Sequence, residues 1–515
     1  MAMETILRIV KESGLLELDQ AGLDAFKARG AQRIAAADAC IYRQSLHATD
    51  GVLYFIGSAA GEKGLCLVST KALPSGMEGA SARIGGISIL KASLSPLSAK
   101  RLREVFPFTA PVSLRERTTT IGCGDRLGLA TPGHVRAAAR YEVAPVLAQQ
   151  SIRELTLTGR DFPGVVADAT FLVFQEGYEL GYGADGDHLK TIADIDTALA
   201  AGMPMITLDL SDVMSAEPAF WSTGKVDEEF ARLGADVQEH VLEAYADKTF
   251  RAGGSSVRLS ALEAKRCALM YLRALDFSRE VDAHIRARRG DSYDLEISID
   301  ETTAPTLPEH HLFIAKELGI RGVMVSSLAP RFVGEFQKGI DYIGKVDEFE
   351  RQFAIHCDIA KASGGYKISI HSGSDKFSVY PAIGRHTGMR LHLKTAGTSW
   401  LQAVLVIARA DPALFRRMLT KAKASFEEAT KLYHITADPA NVPDESGLSD
   451  AELPRLLSAR DSRQLLHITY GGLLNDPGIR AEIFQTLSAN EDLHYAAVEE
   501  HIEKHIRLLG AARRA

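Results

Sequence analysis

From Pro111 onward the chain repeats one rhythm: a short β-rich run, a stretch of helix length, then another short run. Segments near 117–122, 145–150, 205–210, 294–300, 322–328, 366–371, 390–395 and 464–470 read as strands. The stretches between them carry helix punctuation. In Thr191-Ile-Ala-Asp194 a threonine stands three positions before an acidic residue, Ile192, Ile195 and Leu199 share one face, and Gly202 follows as a stop. Between Val346 and Ala360, the residues Val346, Phe349, Phe353 and Ala360 fall on one stripe. Helical crossovers join parallel strands, which argues against an antiparallel sheet with a solvated polar face. The pattern predicts an α/β fold: a TIM-like (β/α)8 barrel over residues 106–515, with helical insertions near 218–288 and 410–460 that read as structural or lid-forming. Residues 1–105 alternate strand-like runs, such as Val52-Leu-Tyr-Phe-Ile56, with Gly-containing turns and end in a helix-like stretch. They predict a small N-terminal α/β domain, a cap or an assembly unit.

The strands themselves are unusual. Buried parallel strands ordinarily read as continuous apolar runs. In Asp294-Leu-Glu-Ile-Ser-Ile-Asp300, however, Leu295, Ile297 and Ile299 share one face, so Glu296, Ser298 and Asp300 share the other. Lys367-Ile-Ser-Ile-His371 repeats the arrangement, Leu391-His-Leu-Lys394 offers His392 and Lys394, and Ile206-Thr-Leu-Asp-Leu210 offers Thr207 and Asp209. If the aliphatic residues face the helices, the barrel interior is lined with carboxylates, lysines and imidazoles. Unpaired buried charges cost several kcal/mol each, so these groups must pair, bind metal or face a wet substrate pocket.

Composition removes several function classes. Fifty-nine basic side chains against 66 acidic ones give a net charge of −7, with no long basic run, so nucleic acid is not the expected partner. No segment approaches the ~18 uncharged apolar residues that would span a membrane, and MAMETILRIVKESG does not read as a signal peptide. Cys40, Cys66, Cys123, Cys267 and Cys357 are odd in number, scattered and without a CxxC, which suggests neither a disulfide framework nor a thiolate zinc site. A cytoplasmic enzyme fits these features.

Loops after barrel strands build active sites, which puts Asp125, Arg126, Gln149 and Gln150 on the expected rim. Gly122-Cys-Gly-Asp-Arg-Leu-Gly128 lacks the GxGxxG spacing of a dinucleotide site. The segment Phe174 to Lys190 contains a Gly-rich turn in which adjacent Asp187 and His188 combine a general base with a metal-binding imidazole. His371, at a strand end across the same mouth, supplies a second imidazole. Two imidazoles with nearby carboxylates suit Zn²⁺, Mn²⁺, Ni²⁺ or Fe²⁺, and spacing does not choose among them. Arg331 and Lys338 follow the strand near 322–328, and Lys394 ends another; all three are placed to grip an anionic substrate.

Together, GCGDRLGLATPGHV, the AQQS that follows, FQEGY…GYGADGDH, ISIDET, RFVGEFQKGIDY, YKISIHSGSDKFSVYP and HLKTAGTS resemble the tagaturonate epimerase family of bacterial hexuronate metabolism, in the same order from about Thr118 to the C-terminus. The resemblance implies a divalent-metal-dependent epimerase that interconverts D-tagaturonate and D-fructuronate, which differ at C4. It implies Asp187 as proton acceptor, His188 and His371 as metal ligands, Glu296 as the opposing acid and Lys338 as a substrate contact. The expected partner is a small hexuronate, and a homo-oligomer is compatible with the sequence. In these 2-ketoses C4 is β to both carbonyl groups, so its hydrogen is not acidic and simple enolisation cannot invert it. A base acting on the 4-hydroxyl can instead drive retro-aldol cleavage between C3 and C4, followed by rotation and re-addition. Transient oxidation at C4 by bound nicotinamide is a rival route. A metal aldolase, a ketose isomerase and a non-catalytic sugar-acid sensor are the alternative readings.

Overall fold

Residues 2–302, 304–395 and 397–514 are described by the computed structural model. Its first seven strands are β1 (Arg33–Ala36), β2 (Ala39–Tyr42), β3 (His47–Thr49), β4 (Val52–Ala59), β5 (Glu62–Ser69), β6 (Gly79–Ile84) and β7 (Ile87–Ala92). They form one sheet in the order β1-β2-β4-β5-β7-β6, with β3 also on β4, and every pairing is antiparallel. The apolar run in β4 is continuous because both faces of the sheet are covered. Leu53 and Phe55 pack with Ile6 and Val10 of the helix Ala2–Glu12. Tyr54 and Ile56 point the other way, onto Phe171 and Phe174 of the helix Phe162–Glu176. That helix is apolar nearly all round for the same reason, since its Val165, Ala169 and Val173 face the barrel core. A polar knot ties the sheet to the last helix, Glu491–Leu509: Glu491 accepts from Arg33 (2.6 Å), Tyr42 (2.7 Å) and Tyr495 (2.5 Å), and pairs with Lys63.

The barrel follows. Its strands are β8 (Thr119–Gly122), β9 (Ala144–Ser151), β10 (Gly183–Leu189) and β11 (Met205–Asp209), then, after a hairpin of β12 (Lys248–Ala252) and β13 (Ser255–Leu259), β14 (Asp294–Ser298), β15 (Val325–Ala329), β16 (Lys367–Ile370) and β17 (Leu391–Lys394). All eight pair in parallel, each with its neighbour in the chain, and β17 closes on β8. The alternation read from the sequence holds. Leu295, Ile297, Ile368, Ile370, Leu391 and Leu393 join the core between strands and helices, and the polar residues between them turn inward. The base is plugged by the 113–114 segment, which donates to Asp294 from Ser113 Oγ and Leu114 N at 2.7 Å each and accepts from Lys367 Nζ at 2.7 Å.

One expected strand is wrong. Residues 464–470 belong to the helices Arg460–Ile468 and Tyr470–Leu474, where Leu465, Leu466 and Ile468 pack with Trp400, Leu414 and Phe415 in a separate C-terminal helical core. A short apolar run is ambiguous by periodicity alone, and here the surrounding helices decide it. The missing strand is β10, whose Gly-Ala-Asp-Gly-Asp-His-Leu sequence reads as a turn because glycine and aspartate are depleted in strands. Tertiary packing requires those glycines. A Cβ on Gly186 would lie 2.9 Å from Ala198 in the helix Ile192–Ala200, and one on Gly183 would lie 3.0 Å from Leu114. The insertion near 218–288 is helical apart from its hairpin. The one near 410–460 runs on into helices rather than returning to a strand. Among the described residues, no helix is long and apolar enough to cross a membrane.

Candidate active site and cation site

Side chains from six strands converge in the upper half of the barrel. Lys394, at the end of β17, is the hub: its ammonium pairs with Asp187, lies 2.9 Å from Glu296 and 3.3 Å from Asp185, and donates to Thr207 at 2.7 Å. Thr207 in turn donates to Asp185 (2.9 Å), Gln149 donates to Asp185 (3.1 Å), and Ser327 donates to Glu296 (2.5 Å). Burial alone would strip the charge from Lys394, yet Asp185, Asp187 and Glu296 outweigh it and hold the ammonium well above its ordinary range. Burial pushes Asp187 and Glu296 up, but Lys394 first and the histidines next bring both well below the usual carboxylate range. Asp185 is the exception, since burial there wins and its carboxyl is raised. Beneath this layer His392, 2.9 Å from Thr120, is pushed down to about 3 by burial and is a neutral imidazole.

Above Lys394 the two predicted imidazoles meet, with ring centres 4.9 Å apart. Adjacent residues of a regular strand point to opposite faces, but Asp187 and His188 both border the cleft. His188 has φ +55° at the point where the register with β11 shifts, and this turn of the backbone brings its ring inward. Asp187 Oδ1 lies 2.9 Å from His188 Nδ1, and Glu296 Oε1 lies 2.7 Å from His371 Nε2. Each ring is therefore held at one nitrogen by a carboxylate, which fixes its tautomer and frees the other nitrogen. His188 Nε2 lies 3.7 Å from Glu301 Oε1, and Asp300 Oδ1 is 2.9 Å from His371 Nδ1. That buried Nδ1 has no hydrogen-bond partner among the described residues. Ligand atoms of His188, Asp300 and His371 lie within 4.8 Å of one another. Two nitrogens and a carboxylate with orienting carboxylates behind the rings are the donor set and support of a transition-metal site, so the residues fit a divalent cation. Burial lowers His371, but the carboxylates of Asp300 and Glu296 raise it to about 9. Two further groups of ligand-type side chains occur among the described residues, Glu263 with Cys267 and His310, and Asp375 with His501 and His505. In the first both His310 nitrogens are engaged, at 3.0 and 2.8 Å, and in the second Asp375 is ion-paired with Arg463 at 2.8 Å.

His188, Asp300 and His371 border a cleft of about 240 Å³. Arg126, Asp187, His188, Arg331, Lys338, His371 and Lys394 all border it, so these seven residues anticipated from sequence share one cavity. Glu296 lies one layer deeper, fully buried behind His371 and Lys394. Asp125 is elsewhere: its carboxylate accepts from the backbone N–H groups of Leu127, Gly128 and Ala130 and shapes its own loop. Gln150 stands on the face opposite Gln149 and Ser151, and its amide finds no hydrogen-bond partner among the described residues. The inward glutamine is Gln149, with Gly122 beside it because a Cβ there would lie 2.2 Å from its Oε1. Of the basic groups at the mouth, Arg126 is committed to Glu154 at 3.1 Å and stacks 3.5 Å over Tyr470. Among the described residues Lys338 is ion-paired with no carboxylate, and burial pushes its ammonium down. Leu432, Tyr433 and His434 of the second insertion form part of the cleft wall, as a lid element would. Sequence reasoning did not single out Asp300 as a ligand, although its shared face with Glu296 was the available signal.

The sequence model of the tagaturonate epimerase family matches residues 42–509. A curated relative, the tagaturonate/fructuronate epimerase of Thermotoga maritima, is 39% identical over 472 residues, covering 91% of this chain and 96% of its own. The native crystal structure of the fructuronate-tagaturonate epimerase from Cohnella laeviribosi matches with a TM-score of 0.88 at 44% identity, over 92% of this chain and 97% of that one. A one-glycerol complex of the same enzyme matches with a TM-score of 0.88 at 45% identity, over 92% and 96%.

Proposed function

This chain belongs to the tagaturonate epimerase family, an isomerase family, and we propose that it interconverts D-tagaturonate and D-fructuronate by inverting C4 in the cleft above Lys394. The observation that carries this reading is the pair of imidazoles, each held by a carboxylate at one nitrogen and grouped with Asp300 so that their ligand atoms lie within 4.8 Å of one another. His188, His371 and Asp300 would hold a divalent cation, Zn²⁺, Mn²⁺, Ni²⁺ or Fe²⁺, which when bound supplies Lewis acidity for the negative charge that develops on the substrate oxygens.

The protein's own groups account for the proton movements. Asp187, kept ionised by Lys394, takes the proton of the 4-hydroxyl, and the C3–C4 bond breaks to a three-carbon enediolate and an aldehyde. Rotation of the aldehyde and re-addition leave the C4 oxygen on the other side, where it needs a proton. Lys394 borders the cleft and touches both Asp187 and Glu296, so it returns that proton, and Glu296, itself ionised, supports the ammonium from behind. The Asp187–Lys394 contact then passes the abstracted proton back and resets the pair. Lys338, ion-paired with no carboxylate among the described residues, takes the substrate carboxylate, and Arg331 lines the same cleft. The cytoplasmic setting, supported by five unpaired cysteines, and a role for residues 1–105 as a separate cap or assembly unit belong to the same proposal.

The test is incubation of metal-loaded protein with C4-deuterated D-tagaturonate, with and without chelator. The expected product is D-fructuronate that keeps its deuterium, formed only without chelator. Washout of the label would exclude retro-aldol chemistry, accumulation of free three-carbon products would point to an aldolase, and undiminished turnover under chelation would remove the cation.

A further inference from the structure

Four consecutive carbonyls, those of Gln337-Lys-Gly-Ile340, are each held by a side chain from outside their loop. Lys376 donates to Gln337 O (2.8 Å) and Ile340 O (2.6 Å), Gln464 donates to Lys338 O (3.1 Å), and Arg463 donates to Gly339 O (2.5 Å). The third Lys376 N–H goes to Ser374 O at 2.9 Å, in the loop that follows β16 and carries His371. Arg463 is anchored to that loop as well, through Asp375 at 2.8 Å. Lys376 is completely buried, and among the described residues its hydrogen-bonding contacts are three carbonyls and no carboxylate. Burying an amino group this way, where burial pushes it down to about 7, costs far more than filling the space with an apolar side chain, so a group that merely packed the loop would not need the polar head. The three donors do what an apolar plug cannot: they tie the loop carrying Lys338 to the loop carrying His371 at a defined separation. Gly339, at φ +74°, lets the chain present its carbonyls to this ring of donors.

We propose that Lys376, Arg463 and Gln464 are positioning residues that act as one clamp on Lys338, setting its distance from His371 and hence from the reacting end of the cleft. The proposal rests on the reading of Lys338 as the partner of the substrate carboxylate, and a double-mutant cycle separates the two. KM and kcat for D-tagaturonate are measured in the full-length metal-loaded enzyme, in Lys338→Ala, in Lys376→Met and in the double variant, with circular dichroism to verify folding. Lys338→Ala raises KM tenfold or more. Lys376→Met raises KM roughly tenfold in the parent, with a much smaller effect on kcat, and by less than about twofold once Lys338 is gone. A merely structural lysine would show the same effect in both backgrounds, and that result overturns the clamp while leaving Lys338 in place. An unchanged KM in Lys338→Ala overturns the reading of Lys338 and the clamp with it. Should Lys376→Met fail to fold, Gln464→Leu decides by the same cycle: a KM effect of roughly threefold that disappears with Lys338 upholds the clamp, and an equal effect in both backgrounds overturns it.

Discussion

Asp187→Asn separates two duties that the geometry gives to one carboxylate. The amide has the same size and keeps an oxygen for the N–H at His188 Nδ1, 2.9 Å away, but it cannot take a proton and carries no charge. Losing a positioned general base costs ~10²–10⁴ in rate, which is about 2.7–5.5 kcal/mol of barrier at ~1.36 kcal/mol per decade. Weakening the charge behind a metal-binding imidazole costs ~10–100-fold in metal affinity, or about 1.4–2.7 kcal/mol. The fold should tolerate the change, because Lys394 keeps Glu296 at 2.9 Å and Asp185 at 3.3 Å and is not left as an orphan charge. A metal titration followed by turnover at saturation resolves the two: the affinity deficit disappears with excess metal and the rate deficit of ~10²–10⁴ persists. A saturated variant whose kcat stays within about tenfold of the parent would refute the assignment of Asp187 as the base.

Two further outcomes follow from the same geometry. His188→Ala, His371→Ala and Asp300→Ala should each lose bound metal and turnover while keeping the parent circular dichroism, as elemental analysis and product assays would show; full metal content in Asp300→Ala would remove the third ligand from the site. Glu491→Ala leaves Lys63 part-buried without its carboxylate and should destabilise the protein by about 3 kcal/mol in urea, with partial recovery in Lys63→Met/Glu491→Leu; a loss under ~1 kcal/mol would mean the polar knot does not fasten the N-terminal sheet.

Much of the barrel was legible because two periodicities are printed directly in the chain. The alternation in Asp294–Asp300, Lys367–His371 and Leu391–Lys394 by itself assigns Glu296, His371 and Lys394 to the interior, since a strand gives each side chain one face or the other. β10 escaped because its identity depends on neighbours: glycine is unfavourable in an isolated strand and obligatory where Leu114, Val146 and the helix Ile192–Ala200 leave no room for a Cβ. The choice between Gln149 and Gln150 was also hidden. The register of β10 on β9 shifts between Gly183 and Ala184, next to Leu147, and one irregularity of this kind reverses the faces of all later residues.

What the amino-acid order determined alone was therefore local: which runs are strands of alternating character, where helices begin and stop, and that charged groups must lie inside the barrel. Tertiary structure decided what those groups do. The third cation ligand, the triple pairing of Lys394 and the donors around Gln337–Ile340 join residues that are tens to hundreds of positions apart. No local pattern encodes such meetings, because the energy of a buried charge depends on which partners the closed barrel brings within about 3 Å of it.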